Sequence, residues 1–215
     1  MTNEFYKPSF ARTSHERRQA VLDAAIEQFA GHGYAATNIN DIAREAGISI
    51  GAMYSYFSSK KTLFLTVIEY AYGVMEESLQ EVHRASTDVF DYVSRMLAAC
   101  RYYGENYPML NQLYLTITTQ PAADLSAQLS EKIEATTPGI LTELIRKGKQ
   151  QGIVRADADE QISALCIDNI FMMYQFSFAS RYFAERLRVY LGDRVNNSVT
   201  LEDAIKEFIS AALQE

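Results

Sequence analysis

The stretch GISIGAMYSYF, residues 47–57, determines how the rest of the chain is interpreted. It follows apolar residues at helical spacing, namely Ile39, Ile42, Ala43 and Ala46. This pattern meets Gly47 after barely two turns, and Ser49 is placed to cap another short helix with Met53 and Phe57 facing inward. Two helices this short are unstable alone in water, so they must pack on their neighbours. The spacing fits a helix-turn-helix over about residues 38–57, whose second helix can enter a DNA major groove, and equally an ordinary helical hairpin.

Around this stretch the whole chain shows helical rather than alternating spacing, so we predict an all-α fold. A first helix covers residues 14–31, with Gly33 placed to stop it, and the next begins behind Thr37 or Asn38. A long helix over residues 60–84 connects head and body. We therefore expect a three-helix head over residues 15–75 and a helical body over residues 76–215.

Caps and prolines predict the helices of the body. We expect a helix over residues 88–105, a break at Pro108, a helix to Thr119 and a break at Pro121. Thr137 and Pro138 then fit the start of a helix that runs to Gly152. Residues 159–190 read as one long helix, and a last helix opens with Thr200 and Asp203 as a capping pair.

Composition excludes several classes of protein. The 215 residues are 48% apolar, enough for a packed core. The two cysteines are far apart and the three histidines are scattered, so we expect no disulfide framework, no metal site and no cofactor. The longest apolar run without charges, residues 169–180, is too short to span a bilayer, so we expect a cytoplasmic protein with no membrane contact. Cys100 and Cys166 both fall on predicted apolar faces, where thiols are usually inert, although a redox sensor remains an alternative.

Charge is distributed unevenly along the chain. The net charge of −7 argues against binding to nucleic acid, but residues 1–62 carry seven Lys and Arg against six Asp and Glu. The near-neutral head on an acidic body is compatible with a DNA-binding head. The segment 1–13 fits either a disordered terminus, which we favour, or an arm that reaches DNA.

The outward face of the second short helix is unusually apolar and aromatic. Met53 and Phe57 face inward, which leaves six residues partly or wholly outside the core: Ile50, Gly51, Ala52, Tyr54, Ser55 and Tyr56. Such a surface is unfavourable in water unless something docks on it. Tyr54 also fits a half-buried core position.

The segment TNINDIAREAGISIGAMYSYFSSKKTLF, residues 37–64, resembles the DNA-binding segment of the TetR/AcrR family of bacterial transcriptional regulators. The resemblance covers about residues 15–75, and the body adds a weaker one through GKQQGIVRADAD, residues 148–159. It implies a homodimeric regulator that is not an enzyme. Such a regulator is most often a repressor that binds a palindromic DNA operator and is released by a small hydrophobic or aromatic effector.

The resemblance also implies which residues contact DNA. Eleven positions of this sequence match the family's DNA-binding positions: Thr37, Asn38, Asn40, Ser49, Ile50, Gly51, Ala52, Tyr54, Ser55, Tyr56 and Lys60. Ile50 and Ala52 stand where the family often carries polar residues. We therefore expect these two side chains to contact thymine methyl groups, a contact weaker than a bidentate hydrogen-bonded pair.

The body offers candidates for an effector pocket and a dimer interface. Rings, thioethers and an amide suggest an adaptable apolar cavity or simply an aromatic core: Tyr102, Tyr103, Tyr107, Tyr114, Asn169, Met172, Met173 and Phe176. Asp168 and Asn169 need polar partners, in an effector, across a dimer or on a neighbouring helix. Residues 159–190 and 201–213 carry apolar stripes that a four-helix bundle with a second copy would cover.

A helical-bundle carrier or enzyme without DNA binding is the competing hypothesis. No nucleophile elbow, phosphate loop or cluster of metal ligands occurs in the sequence, and GHG at residues 31–33 reads as a helix stop. The sequence therefore favours a DNA-binding regulator over an enzyme.

Overall fold

A computed structural model describes the backbone of residues 5–119 and 126–214, and the side chains of these residues except 118, 119, 126–135 and 196. Within these residues the chain forms helices and no strand, which confirms the all-α prediction. The helices are α1 (Pro8–Ala11), α2 (His15–Ala36), α3 (Ile39–Glu45), α4 (Ile50–Tyr56), α5 (Lys60–Ala85), α6 (Val89–Asn106), α7 (Pro108–Thr119), α8 (Ser126–Gln151), α9 (Glu160–Ala179), α10 (Arg181–Leu191) and α11 (Ser198–Leu213). A short 3-10 helix, Gly192–Asn196, joins the last two.

Side-chain caps define the helix-turn-helix. The Ser14 hydroxyl caps α2, the Asn38 side chain caps α3 and the Ser49 hydroxyl caps α4. Gly33 and Gly47 adopt φ angles of 74° and 66°, a region that L-residues with a side chain rarely enter, so both glycines end helices as the sequence predicts. The sequence offers Thr37 and Asn38 as caps for α3, and Asn38 is the one whose side chain caps it.

The core divides into two clusters of buried side chains. The first cluster combines α1 to α5 with Leu113 of α7, and the second joins Leu79 of α5 to α6, α8, α9 and α11. The long helix α5 runs through both clusters. α7 packs against α2 of the head and against α9 of the body.

Three predicted boundaries in the body are wrong. Pro138 lies inside α8 rather than at its start, because a proline removes only one intrahelical hydrogen bond and a long packed helix tolerates it. The stretch predicted as one long helix breaks at Ser180, whose backbone is extended between α9 and α10. The last helix is capped by the side chain of Asn197, not by Thr200 and Asp203. The predicted break at Pro121 lies outside the described residues.

α9 is the most apolar of the long helices in the described part of the chain. By length and composition alone it could cross a membrane, a test that core helices of soluble proteins also pass. It carries Glu160 and Asp168 and packs against α6, α7, α8 and α10. These contacts explain part of its apolar character, while Ile162 and Leu165 of the same helix are exposed.

Candidate nucleic-acid interface

The recognition helix α4 is anchored by its inward side chains and exposes the opposite face. Met53 and the following Phe57 are 0% exposed, whereas Tyr54 is 49% and Ile50 is 38% exposed. Ser49, Gly51 and Ser55 are also exposed, and Ala52 is half-buried. The face predicted from the sequence is therefore accessible to a partner, with the exception of Tyr56.

Tyr56 was expected on the outer face, and that orientation is wrong. Its side chain is 7% exposed, and its ring lies 5.4 Å from the ring of Phe10. Residue 56 comes three positions after Met53, so in a helix it returns to the same inward face. Its hydroxyl oxygen lies 3.5 Å from Oγ1 of Thr13. Tyr56 therefore belongs to the head core.

Thr37 is also buried rather than available to phosphate. Its hydroxyl is within hydrogen-bonding distance of two carbonyl oxygens, that of Gly33 at 2.7 Å and that of Gln28 at 3.0 Å. The Thr37 backbone N–H also donates to the Gly33 carbonyl, at 3.2 Å, so the backbone and side chain of Thr37 are both held at the end of α2. Thr37 therefore holds the turn before α3 and is a correction to the predicted interface.

Lys60 donates hydrogen bonds to two backbone carbonyl groups of the head. Its ammonium Nζ donates to the carbonyl oxygens of Ala35 and Thr37 at 3.1 and 2.9 Å, and lies 4.8 Å from the centre of the Tyr34 ring. Since an ammonium has three N–H donors, one remains for a further acceptor. Lys60 therefore positions the turn before α3 and can still contribute positive charge at the base of α4.

Asn38 and Asn40 lie exposed at the start of α3. Asn38 Oδ1 accepts from the Asn40 backbone N–H at 3.0 Å and from its side-chain amide at 3.1 Å. The nearby Arg44 is paired with Asp41 at 2.7 Å. The face built by α3 and α4 thus offers amides, hydroxyls and one aromatic ring more than free cations.

The N-terminal segment, residues 5–13, packs on the head, so the expectation of a disordered terminus is wrong for these residues. Phe10 is 2% exposed, and its ring centre lies 4.8 Å from that of Phe57. Lys7 donates from its backbone N–H to the Tyr56 carbonyl at 2.8 Å and from Nζ to the Tyr54 carbonyl at 2.7 Å. The segment therefore contacts the C-terminal end of α4.

A cavity of about 130 Å³ opens in the body among α5, α6, α7, α8 and α9. Among the predicted effector residues, Tyr103, Tyr114 and Met172 line it. The other five do not. Tyr102 and Tyr107 are exposed, Asn169 donates to the Leu165 carbonyl of its own helix, and Met173 and Phe176 face elsewhere.

The cavity has polar groups that the sequence alone did not single out. Asn111 is 3% exposed, and its Oδ1 accepts from Nε2 of Gln175 at 2.6 Å. Among the described residues, the Asn111 Nδ2 donor has no hydrogen-bond partner. Asp168, which was noted in the sequence, also lines the cavity. An amide inside the apolar stripe of α7 was the available signal for Asn111.

The two thiols differ in environment. Burial, and then the charge of Asp168, raise the pKa of Cys100 to about 12, so this thiol stays protonated at neutral pH. Cys166 is exposed on α9, whereas the sequence placed both thiols on apolar faces, where thiols are usually inert. Neither cysteine lies in a disulfide.

Proteins of similar sequence support this interpretation of the exposed face. The family model described as bacterial regulatory proteins, tetR family, matches residues 21–67. The regulator YerO of Bacillus subtilis is 26% identical over 188 residues, which span 86% of this chain and 65% of YerO. A probable acrEF/envCD operon repressor of Escherichia coli K12 is 29% identical over 160 residues, 72% of each chain.

Solved structures support the same fold. A TetR family transcriptional regulator from Chloroflexus aurantiacus superposes with a TM-score of 0.71 and 22% identity, over 98% of this chain and 99% of that one. The matched residues 21–67 contain α3 and α4, the two helices that build the exposed face. Residues 21–67 therefore carry a segment of the tetR family of bacterial regulatory proteins, and the chain shares its fold with a TetR family transcriptional regulator.

Proposed function

We propose that this chain is a cytoplasmic, ligand-responsive repressor of transcription. In this proposal a homodimer binds a palindromic operator through two heads, residues 15–75, and a small hydrophobic effector in the body, residues 76–215, releases it. The observation that carries the proposal is the outer face of α4, which is exposed while Met53 and Phe57 fix the helix from below. The family model covers the same helix. Repression is supported by the operon repressor of Escherichia coli among the similar proteins.

The proposed DNA contacts are those members of the predicted set that the structure leaves accessible. They are Asn38, Asn40, Ser49, Ile50, Gly51, Ala52, Tyr54, Ser55 and Lys60. Hydroxyls, amides and the remaining donor of Lys60 suit phosphate oxygens, and the bare backbone of Gly51 permits close approach. Ile50 and Ala52 suit thymine methyl groups, as the sequence suggests.

Helix α7 supplies the proposed coupling between cavity and head. Leu113 belongs to the head core, and Oγ1 of Thr116 donates to the Ala30 carbonyl of α2 at 3.4 Å. Leu110, Asn111 and Tyr114 of the same helix line the cavity. An effector that displaces α7 therefore displaces α2 and with it the head. Binding energy shifts the equilibrium only to the extent that the effector prefers the displaced state.

The effector we propose is a small apolar molecule with a hydrogen-bond acceptor. Most lining side chains are aliphatic, aromatic or thioether groups, and the Asn111 amide offers the acceptor a buried donor. Pockets for drug-sized ligands have volumes of about 300–1,000 Å³. The cavity of about 130 Å³ must therefore widen on binding, which gives the effector its preference for a changed body.

Exposed apolar side chains on the last three helices support the proposed homodimer. They are Ile162 and Leu165 of α9, Tyr182, Val189 and Tyr190 of α10, and Val199 and Phe208 of α11. Isolated patches of this kind are unfavourable in water, and a twofold helical bundle would cover them. A dimer would also place two copies of α4 for two half-sites.

Selection from random duplex DNA tests this function. We expect the wild-type protein to enrich a palindrome, and Tyr54→Ala to bind it at least tenfold more weakly, because Tyr54 is the largest exposed side chain of α4. Tyr72→Phe is the control, since Tyr72 lies on α5 beside the cavity. Replacing operator thymines by uracil should weaken binding by about 1 kcal/mol or less per lost methyl contact.

Failure to enrich any sequence would refute the regulator and favour the competing carrier or enzyme without DNA binding. In that case small apolar molecules would still bind the cavity but nothing would dock on α4. Enrichment together with unchanged affinity for uracil-containing DNA would refute only the thymine contacts.

A further inference from the structure

We propose that the N-terminal segment, residues 5–13, is a positioning device that holds the recognition helix α4 in its binding orientation and does not contact DNA. The proposal rests on the proposed function, because it explains how the exposed face of α4 is presented. It is supported by the set of hydrogen bonds at the C-terminal end of α4.

A helix leaves its last four carbonyl groups without intrahelical partners, and these groups need other donors. In α4 they belong to Met53, Tyr54, Ser55 and Tyr56. The backbone N–H of Phe57 donates to the Met53 carbonyl at 2.9 Å, which satisfies the first. No backbone N–H of the helix donates to the other three carbonyls.

Residues of the N-terminal segment donate to each of these three carbonyls. Nζ of Lys7 donates to Tyr54 at 2.7 Å, Oγ of Ser9 donates to Ser55, and the Lys7 backbone N–H donates to Tyr56 at 2.8 Å. Every terminal carbonyl of α4 is therefore paired, three of them by residues 46 or more positions away in sequence.

Charge and packing act in the same direction. The Lys7 ammonium lies at the C-terminal end of α4, where the helix dipole is negative and a cation is favourable. Phe10 packs its ring against those of Tyr56 and Phe57 beneath the same end. A seven-residue helix is too short to be stable alone, so these contacts fix its orientation together with the buried side chains of Met53 and Phe57.

The same contacts argue against a DNA-contacting arm. The Lys7 ammonium is directed at the Tyr54 carbonyl, and the segment 5–13 lies against the end of α4 that is opposite to its first turn. Arg18 holds the segment from the other side, since its Nη1 donates to the carbonyls of Ala11 and Thr13 at 3.0 and 2.6 Å. The segment is thus fixed between α2 and α4.

The test compares Lys7→Met, Ser9→Ala and a deletion of residues 1–9 with wild type, using the palindrome that wild type selects. We expect Lys7→Met to weaken operator binding about threefold per head and about tenfold per dimer, and the deletion to weaken it further. Lys7→Arg should restore affinity, because it keeps the cation. Arg12→Met is the matched control, since it removes the same charge from the same segment, while the Arg12 guanidinium donates to the Pro8 carbonyl rather than to α4.

Two further readouts separate positioning from DNA contact and from general stability. The slope of log affinity against log salt should be the same for Lys7→Met and wild type, whereas loss of a phosphate contact would reduce it by about 0.9 per head. Amide hydrogen exchange of the free protein should accelerate in α4 and stay unchanged in α2. A reduced salt slope, or unchanged exchange in α4, would overturn the proposal.

The exchange measurement needs no DNA, so it remains decisive if wild type selects no sequence. That result would refute the proposed function, whereas accelerated exchange in α4 of Lys7→Met would still support the capping role. Unchanged exchange with intact DNA selection would refute the positioning role alone.

Discussion

Replacement of Asn111 by leucine tests the cavity most directly. Asn111 is 3% exposed and lies on α7, where its Oδ1 accepts from Gln175 while its Nδ2 donor has no partner among the described residues. A buried donor without an acceptor destabilises a protein by about 1–3 kcal/mol. We expect the acceptor of a bound ligand to satisfy this donor.

The expected change in stability follows from two opposing terms. Asn111→Leu removes the unpaired donor, and it also removes a hydrogen bond with a net value of about 0.5–1.5 kcal/mol. Gln175 is half-buried, so its amide can still reach solvent. The net effect is a stabilisation of about 1 kcal/mol, which for a chain of 215 residues corresponds to a rise in Tm of about 2–4 °C.

Ligand binding should change in the opposite direction. Prodan, a neutral fluorescent naphthyl ketone, carries one carbonyl acceptor, and N-phenyl-1-naphthylamine carries none. We expect Asn111→Leu to weaken prodan binding about tenfold, since about 1.4 kcal/mol is lost with the hydrogen bond, and to leave the second probe within about twofold. Fluorescence titration measures both affinities.

Met172→Leu is the matched control, because it changes a side chain of the same cavity without altering a polar atom. It should affect both probes equally and only slightly. A variant Asn111→Leu that is less stable than wild type by more than about 1 kcal/mol, with prodan affinity unchanged, would refute the reasoning.

Three further predictions concern stability and reactivity. Glu202→Ala should lower the free energy of unfolding by about 3 kcal/mol, because Glu202 Oε1 accepts from Arg101 Nε and from the Tyr174 hydroxyl, each at 2.8 Å. Arg101 is one-third exposed and its charge is partly screened by solvent, so Glu202→Gln should lower the free energy of unfolding by only about half as much as Glu202→Ala. Urea unfolding measures both losses, and equal losses would contradict the pairing. At pH 8 a thiol reagent should leave Cys100 unmodified until the protein unfolds, because its pKa is raised to about 12, and rapid modification in the native state would contradict its burial. Gly47→Ala should destabilise the protein by about 1 kcal/mol through its φ angle of 66°, whereas Gly73→Ala, at an exposed position of α5, should stabilise it slightly; thermal unfolding of both variants tests the contrast.

The sequence was most informative where local rules determine structure. Ser49 caps α4 as predicted, the helices expected to begin near residues 14 and 88 do begin there, and Gly33 and Gly47 take the positive φ angles that their positions require. These features depend on neighbours a few residues away, so spacing alone reveals them. The order and approximate bounds of the head helices could therefore be predicted from the sequence.

Predictions failed where tertiary contacts decide. Tyr56 was placed outside because Met53 and Phe57 were assigned as the inward residues of the short helix, whereas Phe10, 46 positions away, provides a ring that covers Tyr56. The break at Ser180 could not be predicted because no glycine or proline lies near it. Which residues line the cavity depends on which faces of α5 to α9 converge, and for this reason the sequence could not show that Tyr103 and Tyr114 line it while Tyr102 and Tyr107 are exposed.

The position of Leu113 limits how this chain can be recombined with others. Leu113 is 0% exposed within the head core, although it lies on α7, almost fifty residues beyond the segment that the family model matches. A head cut at residue 75 would leave the surface of α2 that α7 covers open to solvent. A chimera that grafts this head onto another regulator's body would therefore need α7, or a helix of matching shape, to travel with it.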